Sequence, residues 1–96
     1  IQVNTGIEDQ KSGIRPSEVR EFYNICVNDY RLNVVGLMCL PPKHESPETH
    51  FAMLNTIAEE NKIKFLSMGM TNDYKVGIKF GATHIRVGEG VFGKRN

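Results

Sequence analysis

The residues best placed to do chemistry are Ser67, Arg86 and the glycines beside them. They lie in two strand-like runs, Phe65–Met70 and Thr83–Val87. Each run meets glycine and then heads towards a helix. Such turns present backbone N–H groups and a helix N-terminus at one rim, which is a natural place to hold a phosphate. Taken singly, Gly69 or Gly88 can equally mark a close approach of two backbones. Arg86 needs an anionic or acceptor partner if it is buried, whether a ligand atom or a carboxylate elsewhere. The strand ends otherwise offer Asn4 and Cys39, a poor acid/base set.

The other reactive side chains read as scaffold. Cys26 and Cys39 sit in apolar contexts and are expected as reduced core thiols. His44, His50 and His84 show no metal-ligand spacing and are expected as solvated or core histidines. Met38, Met68 and Met70 belong to the core, and Tyr74 to packing.

The elements that must position the site follow from periodicity. Ile1–Asn4 reads as a short strand and Thr5–Gly13 as a polar loop. Pro16 suits a first helical position, and Val19, Phe22, Tyr23, Cys26, Val27 and Tyr30 then trace one apolar helical face. Val34–Leu40 is a continuous apolar run, which predicts a strand buried on both faces. Ser46 is the predicted cap of a second helix, with Pro47 first, an apolar stripe of Phe51, Leu54, Ile57 and Ala58, and Asn61 at its close. Thr71-Asn72-Asp73 offers caps for a third helix, Tyr74–Phe80, in which Gly77 costs about 1 kcal/mol against alanine. Gly88–Gly93 reads as a tight turn into a short helix.

Strand and helix alternate through four strands, the pattern of a parallel α/β sheet. Four such units make either a small open sheet or half of an eight-stranded barrel. Barrels often hold phosphate at the loops after their last two strands and at a short extra helix, and here the last two strands end in that way. The barrel half with the phosphate end is therefore favoured.

Composition bounds the rest. At 96 residues the chain is one domain at most. Its 12 basic and 11 acidic residues give a net charge of +1 with no basic stripe, so nucleic-acid binding has little support. No apolar run approaches a membrane span. The chain opens on Ile1-Gln2-Val3-Asn4, which reads as the middle or end of a strand, and is expected to be a piece of a longer, cytoplasmic protein.

At this level the motifs carry a resemblance. QVNT…KSGI, VVGLM, LSMGM and HIRVGxxVFGxR together resemble the C-terminal half of the pyridoxal phosphate homeostasis proteins, over essentially the whole chain. That family shares its barrel with the N-terminal domain of alanine racemases. The resemblance implies an α/β fold: half of a (βα)8 TIM-type barrel, roughly strands five to eight. It implies pyridoxal 5′-phosphate as cofactor, held at the strand ends by a protein that carries it without settled turnover. The Schiff-base lysine of the family lies on the first barrel strand, upstream of Ile1. Ser67 matches the serine whose hydroxyl meets the phosphate. Gly88 and Glu89 match the pair whose N–H groups meet it from the helix start. Arg86 matches an arginine aimed at the pyridine nitrogen, and Lys11 a basic position near the cofactor. Arginine keeps its proton, so it leaves the ring nitrogen unprotonated, and the ring is then a poorer electron sink.

Glu89 departs from the family, where a small residue is usual, and a carboxylate beside a phosphate is repulsive. The expected partner is a small-molecule cofactor, with no nucleic acid or membrane. The intact protein is expected to be monomeric, and an isolated half to self-associate through open edges at Ile1–Asn4 and Thr83–Val87. The alternatives are an amino-acid racemase-like enzyme, a phosphate-sugar barrel enzyme, and a fragment that binds nothing on its own.

Overall fold

The computed structural model describes residues 1–6 and 12–94. Three parallel strands form its sheet in the order β1 (Gly36–Met38), β2 (Phe65–Met70) and β3 (His84–Arg86). Leu37 is in register with Leu66, and Ser67 with His84. All connections cross over through helices, as parallel strands require.

Ile1–Asn4 joins this sheet through single bridges rather than as a full strand. Gln2 pairs with Met38 and Val3 with Ile14, both parallel. The open edge expected at Ile1–Asn4 is therefore partly closed: Asn4 N–H donates to Ile14 O at 2.7 Å, and Ile14 N–H to Gln2 O at 3.0 Å. The chain returns after its polar loop and satisfies backbone groups that would otherwise face solvent. β3 is shorter than the predicted Thr83–Val87, for a chemical reason. The Thr83 N–H still donates to Leu66 O at 2.9 Å, but the Leu66 N–H goes to the Thr83 hydroxyl at 2.8 Å and not to a main-chain carbonyl. Among the described residues no strand lies beyond β3.

The helices cover one face of the sheet. α2 (Pro47–Glu60) packs on β1 and β2, and α3 (Tyr74–Lys79) packs on β2 and β3. The core between them holds Leu37, Cys39, Phe51, Leu54, Ala58, Leu66 and Met68, with Val3 and Val19 at its margin. The predicted stripe of α2 is the buried one, because its period matches the helix. Val34–Leu40 departs from expectation. Only Leu37 and Cys39 are buried, while Val35 is 53% and Leu40 40% exposed. Among the described residues no layer packs on the second face, and an unbroken apolar run does not reveal that.

Winding changes along the first helix. A 3-10 turn at Pro16–Glu18 leads into α1 (Val19–Asn24), which continues as a π-helical turn over Ile25–Asp29. Tyr30 N–H accordingly reaches back five residues to Ile25 O. Of the predicted face only Val19 and Cys26 are buried: Phe22, ahead of the wider turn, is 40% exposed, and Tyr30, just after it, is 72% exposed.

Two predicted caps behave differently. The Ser46 hydroxyl bonds the Glu48 carboxylate and not the helix backbone. Asp73 Oδ1 accepts the Met70 N–H at 2.7 Å, which tightens the turn before α3 without capping it. Gly77, costly by propensity alone, is required by packing: a Cβ there would lie 2.8 Å from Met68 O. Its absence lets α3 lie directly on β2.

Candidate functional site at the strand ends

In a parallel sheet all strands end on one rim. Side chains alternate along each strand, so Ser67 and Arg86 lie on the face opposite Leu66 and Met68, the face without helices. Phe65 and His84 lie there too, with rings edge to face at 5.6 Å.

The Ser67 main-chain carbonyl and the Arg86 side chain both bond the backbone of Cys39. Cys39 N–H donates to Ser67 O at 3.4 Å, and Arg86 Nη2 donates to Cys39 O at 3.1 Å. The guanidinium thus spans β2 to reach the end of β1. Its Nε is buried and has no hydrogen-bond partner among the described residues. A buried donor left unpaired costs about 1–3 kcal/mol, more for a charged group. Arg86 is therefore tethered at one nitrogen and unsatisfied at another.

α4 (Gly88–Phe92) starts two residues past β3. Its first N–H groups precede any intrahelical bond. That of Gly90 is taken by Thr71 Oγ1 at 2.9 Å, which ties α4 to the turn after β2. A Cβ on Gly88 would meet nothing within 4 Å, so the approach to this helix start is open. Glu89 is exposed and makes no ion pair among the described residues.

Arg86, Gly88 and Glu89 thus stand where β3 runs into α4, while Ser67 stands midway along β2, in register with Met38 at the end of β1. Lys11 lies outside the described residues, as does Arg95 of the final motif. Two contributors escape sequence reasoning. Thr71 reads there only as a helix cap, because its partner lies 19 residues on. The Cys39 carbonyl is main chain and leaves no mark in a sequence.

Cys39 itself is not a nucleophile. Burial pushes its thiol up to about 11, against weaker lowering by a hydrogen bond with Thr5 and by the Arg86 charge. It therefore stays protonated at neutral pH. No group of histidines, cysteines and carboxylates among the described residues could hold a metal. Among the described residues no helix is long and apolar enough to cross a membrane. A cleft of about 470 Å³ runs along the first helix by Arg20, Glu21, Ile25 and Asn28, and shares no residue with the rim.

The family model of the alanine racemase N-terminal domain matches residues 1–96. The chain belongs to that family. Its fold is accordingly α/β and TIM-barrel-like. It is similar to the pyridoxal phosphate homeostasis protein of Aquifex aeolicus, at 36% identity over 99% of this chain and 46% of that protein. The protein of the same name from Schizosaccharomyces pombe is also 36% identical, over 99% of this chain and 44% of its own length. Among solved structures, PipY of Synechococcus elongatus with PLP bound superposes with a TM-score of 0.80 at 27% identity, covering 97% of this chain and 47% of that one. PipY without PLP gives 0.86 at 29%, covering 97% and 48%. The chain spans just under half the length of the relatives it matches.

Proposed function

We propose that this chain is the C-terminal half, roughly strands five to eight, of a (βα)8 barrel that binds pyridoxal 5′-phosphate and serves its intracellular homeostasis. The observation that carries this reading is the unpaired, buried Nε–H of Arg86. It asks for an acceptor on the uncovered face of the sheet, and an unprotonated pyridine nitrogen is such an acceptor. The tether of Nη2 to Cys39 O fixes the guanidinium while Nε faces the ligand. Ser67 Oγ and the N–H groups of Gly88 and Glu89 would hold the phosphate, with the Glu89 carboxylate turned to solvent.

When bound, the cofactor supplies an aldehyde reactive towards amines and an electron-accepting ring. The residues here bind and orient it. Arg86 keeps its own proton, leaves the ring nitrogen unprotonated and so restrains electron withdrawal. Among the described residues the strand ends themselves carry Asn4, Cys39, Ser67 and Arg86, a poor acid/base set, which supports carriage over turnover. The lysine that would join the aldehyde belongs to the other half of the barrel. Lys11 stands as a proposed basic neighbour of the site. The names of the relatives and the PLP-bound PipY structure support this reading.

The test is direct. Pyridoxal phosphate added to the intact protein should produce the visible absorption of the bound cofactor. Arg86→Ala and Ser67→Ala should each weaken binding about tenfold or more. Wild-type binding in both variants would show the site assignment to be wrong.

A further inference from the structure

The strand that Arg86 crosses is irregular at the crossing. β2 and β3 are in register at Ser67 and His84, and again at Met70 and Arg86. Three residue steps on β2 thus match two on β3, which makes a β-bulge at Met68–Gly69. Burial shows the same break. Regular alternation sends successive residues to opposite faces, yet Met68 and Gly69 are both buried. A Cβ on Gly69 would lie 3.0 Å from Tyr74 Cα and 3.5 Å from Ile85 Cγ2, on the side of α3. The residue holds φ +106°, a conformation that glycine adopts without strain.

On the uncovered face the bulge leaves bare backbone. Met38 is in register with Ser67, so Cys39 comes level with Met68, and Arg86 is level with Met70. The guanidinium therefore crosses β2 between Met68 and Met70 before Nη2 donates to Cys39 O at 3.1 Å. Over that span Met68 is packed in the core, 0% exposed, and Gly69 has no side chain. A regular strand would place the residue after Met68 on the uncovered face, in the path of Arg86.

The turn that follows holds the bulge in place. Met70 N–H donates to Asp73 Oδ1 at 2.7 Å, and Asp73 N–H donates to Met70 O at 3.1 Å. The first residue past the bulge is thus fastened through both of its backbone polar groups. Bulges beside binding sites commonly re-aim a side chain. We infer that Gly69 and Asp73 are positioning residues for the cofactor site: they form and hold the bulge over which the Arg86 guanidinium reaches Cys39 O, and so aim its unpaired Nε–H at the ring of a bound pyridoxal phosphate. The last step rests on the function proposed above. Neither residue touches the ligand; both act through Arg86.

The test has one arm that needs no cofactor. In the intact protein without pyridoxal phosphate, the Nε–H resonance of Arg86 reports the guanidinium directly. Gly69→Ala should shift and broaden it. Gly81→Ala is the matched control: Gly81 holds φ +103°, and a Cβ there would meet only the Asn55 side chain. It strains the backbone alike, away from the crossing, and should leave the resonance in place. If Gly69→Ala fails to fold, Asp73→Ala loosens the same bulge by removing an exposed bond and should reproduce the shift. Asp73→Asn keeps an acceptor and should stay close to wild type. In the second arm, Gly69→Ala or Asp73→Ala should weaken pyridoxal phosphate binding about tenfold and move the absorption maximum of the bound cofactor.

An unchanged Arg86 resonance in folded Gly69→Ala or Asp73→Ala overturns the inference. So does an equal shift in Gly81→Ala, which would make general strain the cause. A shift in Asp73→Asn as large as in Asp73→Ala overturns it too, since the acceptor would then not be what counts. A shifted resonance with wild-type cofactor binding and absorption also overturns it. A wild-type protein that binds no pyridoxal phosphate would sink the function proposed above and leave the resonance arm to decide whether the bulge orients Arg86.

Discussion

The two faces of the sheet are built from similar residues and live in different surroundings. On one, Leu37, Cys39, Leu66 and Met68 are at most 3% exposed beneath α2 and α3. On the other, Phe65 remains 38% exposed, Met38 is only half-buried, and Ser67 and Arg86 stand among them. The covered face holds the fold together. The uncovered face carries the candidate site and, among the described residues, the unsatisfied Arg86 Nε–H. Stability and binding are thus separated by a single alternation of side chains along each strand.

That separation can be broken by measurement, and the largest effect should come from the covered face. Phe51→Ala should cost about 3–5 kcal/mol in denaturant unfolding, because it leaves a cavity in a packed core. Phe65→Ala, on the other face, should cost well under half as much; equal costs would mean that the two faces do not divide the labour. The buried Cys39 thiol gives the next effect. Its folded pKa of about 11 lies above its unfolded value, so stability is full below about pH 9 and falls as pH rises through 11. The loss should be on the order of 2 to 3 kcal/mol. Cys39→Ala should flatten that alkaline limb relative to wild type.

Smaller effects sharpen the contrast at the rim. Gly69 has φ +106°, and a Cβ there would sit 3.0 Å from Tyr74 Cα, so Gly69→Ala should cost about 1–3 kcal/mol. Thr71→Val removes the acceptor of the Gly90 N–H and should cost about 1 kcal/mol, with faster amide exchange at Gly90. Arg86→Ala should change stability least, by less than about 0.5 kcal/mol, because the energy of its tether is offset by removing a stranded Nε–H. A large loss there would place Arg86 among the structural residues of the fold.

Sequence patterns reached some of this and not the rest. The stripe of α2 and the extent of β2 were legible, because periods of 3.6 and 2 are set by backbone geometry alone. The strand end at Arg86 and the helix start at Gly88 were legible in a strand meeting glycine, whereas β2 runs on past Ser67 to Met70. Which face of Val34–Leu40 is covered was not legible, since burial depends on elements far along the chain. The π turn at Ile25–Asp29 left no trace in an apolar spacing that suits an α-helix equally well. His50 looked like any core histidine, because its partners Thr5 and Glu45 lie 45 residues before it and 5 before it. Gly77 looked like a defect until Met68 O was seen against it.

The bond from Gly90 N–H to Thr71 Oγ1 has a practical use. α4 has five residues, too few to persist alone, and it is pinned to the neighbouring turn by that contact. Phe92, at its far end, is 88% exposed. A fluorine label on that ring would touch neither core nor rim, yet its line width would report whether the helix is docked. Occupancy of the rim could then be read at a distance, in crowded solution, from one resolved signal.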